Sequence, residues 1–145
     1  MEKKELKTLI ILFKAQASLS NSVKKSLEDT GLNLNEFVTM EALYTKKRLT
    51  TQNLAELLLI PNSSLTYVLD ILMKKNYLKR EKCTKDKRVQ YVMLTKEGTE
   101  YFEKVYDKHY RYIRSIFDVV TEEEELVVQE ILKKIGKQAQ RRNET

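Results

Sequence analysis

Asp86 and Arg88 stand two residues apart in a lysine-rich stretch, a spacing that could serve a polyanion partner. On a tight tip, that spacing lets a carboxylate hold a guanidinium in one orientation. An oriented Arg suits a narrow, electronegative minor groove. Arg80, Lys82, Lys85 and Lys87 lie close by in sequence and would add phosphate contacts, which make binding salt dependent. The same pair also fits an ordinary surface ion pair, worth about 0–1 kcal/mol. Between Lys46 and Arg88 there are eleven Lys and Arg against four Asp and Glu, a net +7, whereas the whole chain carries +6. A local basic block on a near-neutral background is the footprint of a polyanion partner, although a solvated surface loop has the same composition.

A second candidate group is Asn62, Ser63, Ser64, Thr66 and Tyr67, directly after Pro61. Small polar residues at a helix start let backbone and side chains approach base edges and phosphates, and the free N–H groups and helix dipole attract phosphate. Asn and Ser at such a place also serve simply as caps. The basic segment that follows favours the DNA reading.

Two ionisable residues interrupt apolar patterns. Glu41 sits one helical turn after Phe37, so the two share a face. His109, the only His, lies within a long apolar-striped segment. Together with Leu9, Phe13 and Phe37 they would suit a small aromatic ligand bearing hydroxyl or carbonyl oxygens. Alternatively, Glu41 is exposed or paired with a Lys, and His109 is a surface residue. Cys83, the only Cys, is flanked by Lys82 and Lys85. Such a thiol could ionise readily and react with electrophiles such as quinones, or be merely structural.

Other chemistries find little support. One His and one Cys far apart do not make a metal site without several carboxylates, and no cofactor is expected. There is no Gly-rich phosphate loop and no nucleophile elbow, so the expectation is that the chain is not an enzyme. The acidic run Glu122 to Glu125 is explained by a helix N-terminus. Tyr101, Tyr106, Tyr110 and Tyr112 fall outside the basic block, which suits packing and interfaces better than stacking on single strands.

These residues need a scaffold. Three Gly and one Pro in 145 residues argue against an all-β design, and Leu, Lys and Glu dominate, which favours helix. A first helix is expected over Glu5 to Glu28, with an apolar stripe of Leu6, Leu9, Ile10, Phe13, Ala17, Leu19, Val23 and Leu27, closed by Gly31. Asn33, with Glu36 three residues on, reads as a capping box opening a second helix that ends on Lys46-Lys47-Arg48. Thr50 caps a short third helix, Thr51 to Leu59. Pro61 marks the start of a fourth, running to about Lys75 and ended by Asn76. The period then changes to two. Tyr77 to Lys82 and Val89 to Leu94 read as a β-hairpin with the tip Thr84 to Arg88. Thr95 caps a fifth helix to about Phe117. Thr121, with Glu124, opens a sixth that carries Leu126, Val127, Ile131, Leu132 and Ile135.

The order predicts a mainly α protein with a small β-wing: a winged helix-turn-helix over 33–98, with long helices in 1–32 and 99–145 that are too apolar for one small module and would form a dimerisation region in one intertwined domain. Apolar runs such as Leu57 to Pro61 are far too short to span a bilayer. The charged N-terminus does not resemble a signal peptide. With a lone Cys, these features predict a cytoplasmic protein without a membrane partner.

The sequence resembles the multiple-antibiotic-resistance regulator (MarR) family over nearly its whole length. The most specific part is Asp86-Lys87-Arg88, then Val89, Leu94-Thr95 and Gly98. The resemblance implies that Arg88 enters the minor groove, that Pro61 to Lys75 is the recognition helix, and that the protein is a homodimeric repressor. It also implies a palindromic operator in double-stranded DNA and release by a ligand or oxidant in a crevice between the outer helices and the winged core. Lys87 replaces a common Arg, and Asn76 a common Gly. Within the family, Ser64 to Asp70, Lys74 to Arg80, Cys83 and Lys108-His109 resemble the quinone- and methylhydroquinone-responsive repressors of Gram-positive bacteria. Two alternatives remain: a winged-helix protein-interaction module, and a regulator that senses electrophiles through Cys83.

Overall fold

The computed structural model describes residues 3–58 and 60–144. Met1 and Glu2 of the expected N-terminal segment, Leu59 at the expected end of the third helix and in the apolar run, and Thr145 lie outside the described residues. The chain forms two compact units, the first ending at His109 and the second starting at Tyr110.

In the first unit, α1 (Lys7–Leu27) ends where Gly31 takes a φ of 74°, a left-handed conformation that costs glycine no Cβ clash. α2 (Leu34–Lys46) starts at Asn33, whose side chain accepts the Glu36 N–H at 2.8 Å. Only half of the expected capping box forms here. The Glu36 carboxylate accepts from Lys75 Nζ at 3.2 Å instead of reaching back to the cap, and Glu36 is only 5% exposed.

The predicted end of α2 needs correction. Lys47 takes a φ of 69° and breaks the helix, so Arg48 is not helical. Arg48 opens a short strand, β1 (Arg48–Thr50), that the sequence reading did not anticipate. Pairing with β3 stabilises this strand: Leu49 lies opposite Val92, and the Arg48 guanidinium sits 3.7 Å from the centre of the Tyr91 ring. Only three residues long, it shows no measurable period of its own.

Thr50 Oγ1 accepts the Asn53 N–H at 3.0 Å and opens α3 (Thr51–Leu58). The chain then turns through 113° into α4 (Asn62–Lys74), an angle typical of a helix-turn-helix. Asn76 ends this segment at a φ of 64°. β2 (Leu78–Lys82) and β3 (Gln90–Leu94) pair antiparallel, with Arg80 opposite Val92, and β3 lies between β1 and β2. Thr95 accepts the Gly98 N–H at 2.9 Å and donates to the Asn76 carbonyl at 2.7 Å, which fixes the start of α5 (Lys96–Phe117) against the end of the α4 turn.

Phe37, Met40 and Leu43 of α2, Leu54 of α3, Leu65, Leu69 and Leu72 of α4, Val92 of β3 and Phe102 of α5 are buried together. Each such side chain contributes roughly 1.5–3 kcal/mol relative to exposure. The apolar positions repeat at helical spacing, so the core fixes which face of α4 turns inward and which is left for solvent.

The second unit holds the end of α5 and α6 (Glu122–Asn143). Thr121 and Glu124 form a complete capping box, as the sequence predicts. Arg114 bridges Asp118 at 3.1 Å and Glu125 at 2.6 Å. No residue of α6 is buried. Among the described residues, no single helix is long and apolar enough to cross a membrane.

Candidate nucleic-acid interface

The wing tip has the geometry that its residue spacing suggested. Beyond β2 and β3, the Cys83 N–H reaches the Val89 carbonyl at 2.9 Å and the Val89 N–H reaches the Asp86 carbonyl at 3.0 Å, which closes a tight loop. Asp86 Oδ1 accepts from the Arg88 backbone N–H at 3.0 Å and from Arg88 Nε at 3.1 Å, while Oδ2 accepts from a terminal guanidinium nitrogen at 3.2 Å. The Arg88 side chain hydrogen bonds and the Arg88 N–H hold the Asp86 carboxyl below the usual carboxylate range. The Arg88 side chain is nonetheless 90% exposed. A fork-to-fork pair orients a guanidinium without covering it. Lys82, Lys85 and Lys87 are exposed on the same hairpin and make no ion pair among the described residues.

Arg80 is placed differently. Its guanidinium donates to Asp70 of α4 at 3.3 Å, so it ties the wing to the helix as well as adding positive charge. The sequence reading passed over Asp70. A lone acid on the second helix of a basic block was the available signal.

On α4, Leu65, Val68, Leu69 and Leu72 face the core, while Asn62, Ser63, Thr66 and Tyr67 are exposed and Ser64 is half-buried. Pro61 occupies the cap position, and no side chain caps the helix. Asn62, Ser63 and Ser64 therefore do not act as its caps. Thr66 donates to the Asn62 carbonyl at 2.9 Å. Tyr67 is 68% exposed, a large aromatic left in solvent beside the helix start.

Of the five candidate ligand residues, the structure brings Phe37 and His109 together, with ring centres 4.3 Å apart. A residue that the sequence reading missed, Ser26, completes the contact. Its hydroxyl donates to the Val23 carbonyl at 2.7 Å and lies 2.8 Å from His109 Nδ1. The direction of the Ser26–His109 bond follows the imidazole tautomer, and the second ring nitrogen, Nε2, takes the complementary role in the neutral form. Burial lowers the pKa of His109 and favours its neutral form. Glu41 is half-buried, and desolvation raises its pKa. Leu9 and Phe13 are exposed on α1 and are not part of the core that contains Phe37.

Cys83 is half-buried in the wing. Hydrogen bonds from the backbone of Asp86 and Lys85 favour its thiolate and lower its pKa. Among the described residues, no group of three or more His, Cys, Asp and Glu could hold a metal ion.

A family model described as "MarR family" matches residues 32–89, a span from the start of α2 to the wing tip. The HTH-type transcriptional regulator MhqR of Bacillus subtilis (strain 168) is 32% identical over 136 residues, with 94% of each chain covered. Among solved structures, Sco3205, a MarR family transcriptional regulator from Streptomyces coelicolor in complex with DNA, superposes with a TM-score of 0.85 at 23% identity, covering 96% of this chain and 93% of that one. NadR in complex with 4-hydroxyphenylacetate gives a TM-score of 0.78 at 24% identity, covering 93% and 96%. At these identities the two structures speak to fold alone.

Proposed function

Because the chain belongs to the MarR family of transcriptional regulators, we propose that it is a homodimeric repressor that binds a palindromic duplex operator in the cytoplasm and is released by a small phenolic or quinone-like molecule. The observation that carries the DNA reading is the exposed Arg88 guanidinium, held in place by both oxygens of Asp86. A pre-oriented Arg enters a narrow minor groove with little further ordering. The polar start of α4 takes the major groove, and Lys82, Lys85 and Lys87 take phosphates.

Two copies are proposed because apolar residues are left in solvent at both ends of the chain: Leu9, Ile10 and Phe13 on α1, and Leu126, Ile131 and Ile135 on α6. In this reading 1–32 and 99–145 join the copies and 33–98 contacts DNA. The effector reading rests on Phe37 packed at a 49° tilt against His109, whose Nε2 would meet a phenolic O–H, and on Glu41, whose raised pKa leaves it readier to share a proton. The ligand of NadR, 4-hydroxyphenylacetate, likewise combines an aromatic ring with a phenolic hydroxyl. Release through the Cys83 thiolate is a second route, favoured by the lowered pKa of that thiol.

Fluorescence anisotropy on duplexes from the region upstream of the protein's own gene, against scrambled duplexes, tests the first part. Sequence preference with a steep salt dependence supports it. Binding without preference removes the repressor reading and leaves the protein-interaction module. Titrating the bound complex with 4-hydroxyphenylacetate, hydroquinone and benzoquinone tests the second. Release by the phenols in wild type and Cys83→Ser alike supports the pocket, while release by benzoquinone alone, lost in Cys83→Ser, supports the thiol route.

A further inference from the structure

The base-reading end of α4 carries an unusual inventory. Its first two turns, Asn62 to Leu69, contain no Lys, Arg, Asp or Glu, although the surrounding segment is the most basic part of the chain. Guanine is most often read in the major groove by Arg or Lys on its O6 and N7, and cytosine by a carboxylate accepting from N4. Neither partner stands on this face. The nearest carboxylate, Asp70, is engaged by Arg80 at 3.3 Å, and Lys74 lies at the far end of the helix. The exposed groups that remain are the chemistry of A·T pairs. The Asn62 amide has no hydrogen-bond partner among the described residues, which leaves donor and acceptor free for adenine N6 and N7. The Thr66 hydroxyl proton is committed to the Asn62 carbonyl at 2.9 Å, which leaves the methyl group as the distinctive feature of that side chain. One residue on, the Tyr67 ring is 68% exposed and offers an apolar surface to a thymine methyl.

We infer that α4 selects A·T pairs in each operator half-site, with Asn62 reading adenine and the Tyr67 ring and Thr66 methyl reading thymine C5 methyl groups. This rests on the DNA-binding reading above and adds the base class to it. Arg88 in the minor groove does not supply this information, because that groove is read largely by width and by A·T against G·C.

The test is enrichment of duplexes from a random-sequence library by the full chain, repeated with Asn62→Ala and with Thr66→Ser/Tyr67→Ala. All three positions are exposed, and the Thr66→Ser change keeps the hydroxyl bond to the Asn62 carbonyl, so the fold is retained. The contacted steps are those whose base preference these variants lose, and A·T pairs are expected there. Replacing thymine by deoxyuridine at those steps removes only the C5 methyl. It should weaken wild-type binding by about four-fold per contacted methyl, the ratio that corresponds to burying one such group. The Thr66→Ser/Tyr67→Ala variant should be indifferent to the replacement. Guanine or cytosine required at those steps, wild-type indifference to deoxyuridine, or an A·T preference untouched by either variant would each overturn the inference. If no sequence is enriched, the repressor reading fails, and this inference fails with it.

Discussion

The core of the first unit, built on α2 to α4, β3 and the start of α5, hides its apolar side chains, and α6 of the second unit does not. Phe37, Met40, Leu54, Leu72, Val92 and Phe102 are inaccessible to solvent or nearly so, whereas Leu126, Val127, Ile131, Leu132 and Ile135 all remain exposed on a helix that buries nothing. The N-terminal half of α1 resembles α6 in this respect, with Leu9, Ile10 and Phe13 in solvent, as is Leu6 just before it. The contrast teaches that the winged helix-turn-helix closes its core within one chain, while α6 and the start of α1 leave the apolar residues on which the proposed dimer rests. Scattered exposed apolar residues are ordinary, but a run of them along one helix marks a surface meant to be covered.

The sharpest way to break this comparison is Ile131→Glu. If a second copy covers α6, a carboxylate placed there loses its water without gaining a partner. The dimer should dissociate, with association weakened at least about a hundred-fold, and operator affinity should fall with it. Light scattering reads the first effect and anisotropy the second. On a face that stays in solvent, the same change would alter stability by no more than about 0.5 kcal/mol.

A smaller effect tests the first unit. A Cβ at Gly98 would stand 2.2 Å from the Tyr77 carbonyl oxygen, so the backbone must move to admit it. Gly98→Ala should cost about 1–3 kcal/mol, read as a lower urea midpoint with an unchanged slope. An unchanged midpoint would mean that the start of α5 is not locked to the α4–wing connection.

Arg88→Ala separates binding from folding. It should weaken operator binding by about 1–3 kcal/mol and leave the unfolding midpoint where it is, since the side chain buries almost nothing. A shifted midpoint with unchanged DNA affinity would make the wing tip a structural element.

The smallest expected effect is a pH dependence. Burial holds the pKa of His109 below its ordinary value of 6.5, so the folded chain binds that proton less readily than the unfolded chain. The stability linked to neutral His109 is complete above 6.5 and is lost as pH falls from there through the folded value. Glu41, with its pKa raised by burial above 4.5, acts in the opposite sense, because acid relieves the cost of its charge. Denaturation of wild type and His109→Gln at a series of pH values should show the wild type losing stability faster just below about pH 6.5, and parallel curves would contradict it.

Much of this is legible in the sequence alone, and the reason is local. Thr121 with Glu124, Thr95 before Gly98, Thr50 before α3 and Asn33 before α2 are caps whose partners lie within three residues, so the sequence exposes them directly. The left-handed residues Gly31 and Asn76 are local too. The Asp86–Arg88 pair was readable because its two members are separated by one residue on a tight tip. What escaped depends on distance. β1 exists only because β3 pairs with it, from more than forty positions away in sequence. Glu36 left its expected cap for Lys75, and Ser26 met His109 across 83 positions. Leu9 and Phe13 are on the predicted stripe of α1, but nothing in that stripe's period says which surface covers it.

Native mass spectrometry of the full chain, free and with its enriched duplex, tests the central claim most directly. The account predicts a free species at twice the 17.1 kDa chain mass, and a complex in which one such pair of chains occupies one duplex. A free species at 17.1 kDa that binds every duplex equally would contradict it.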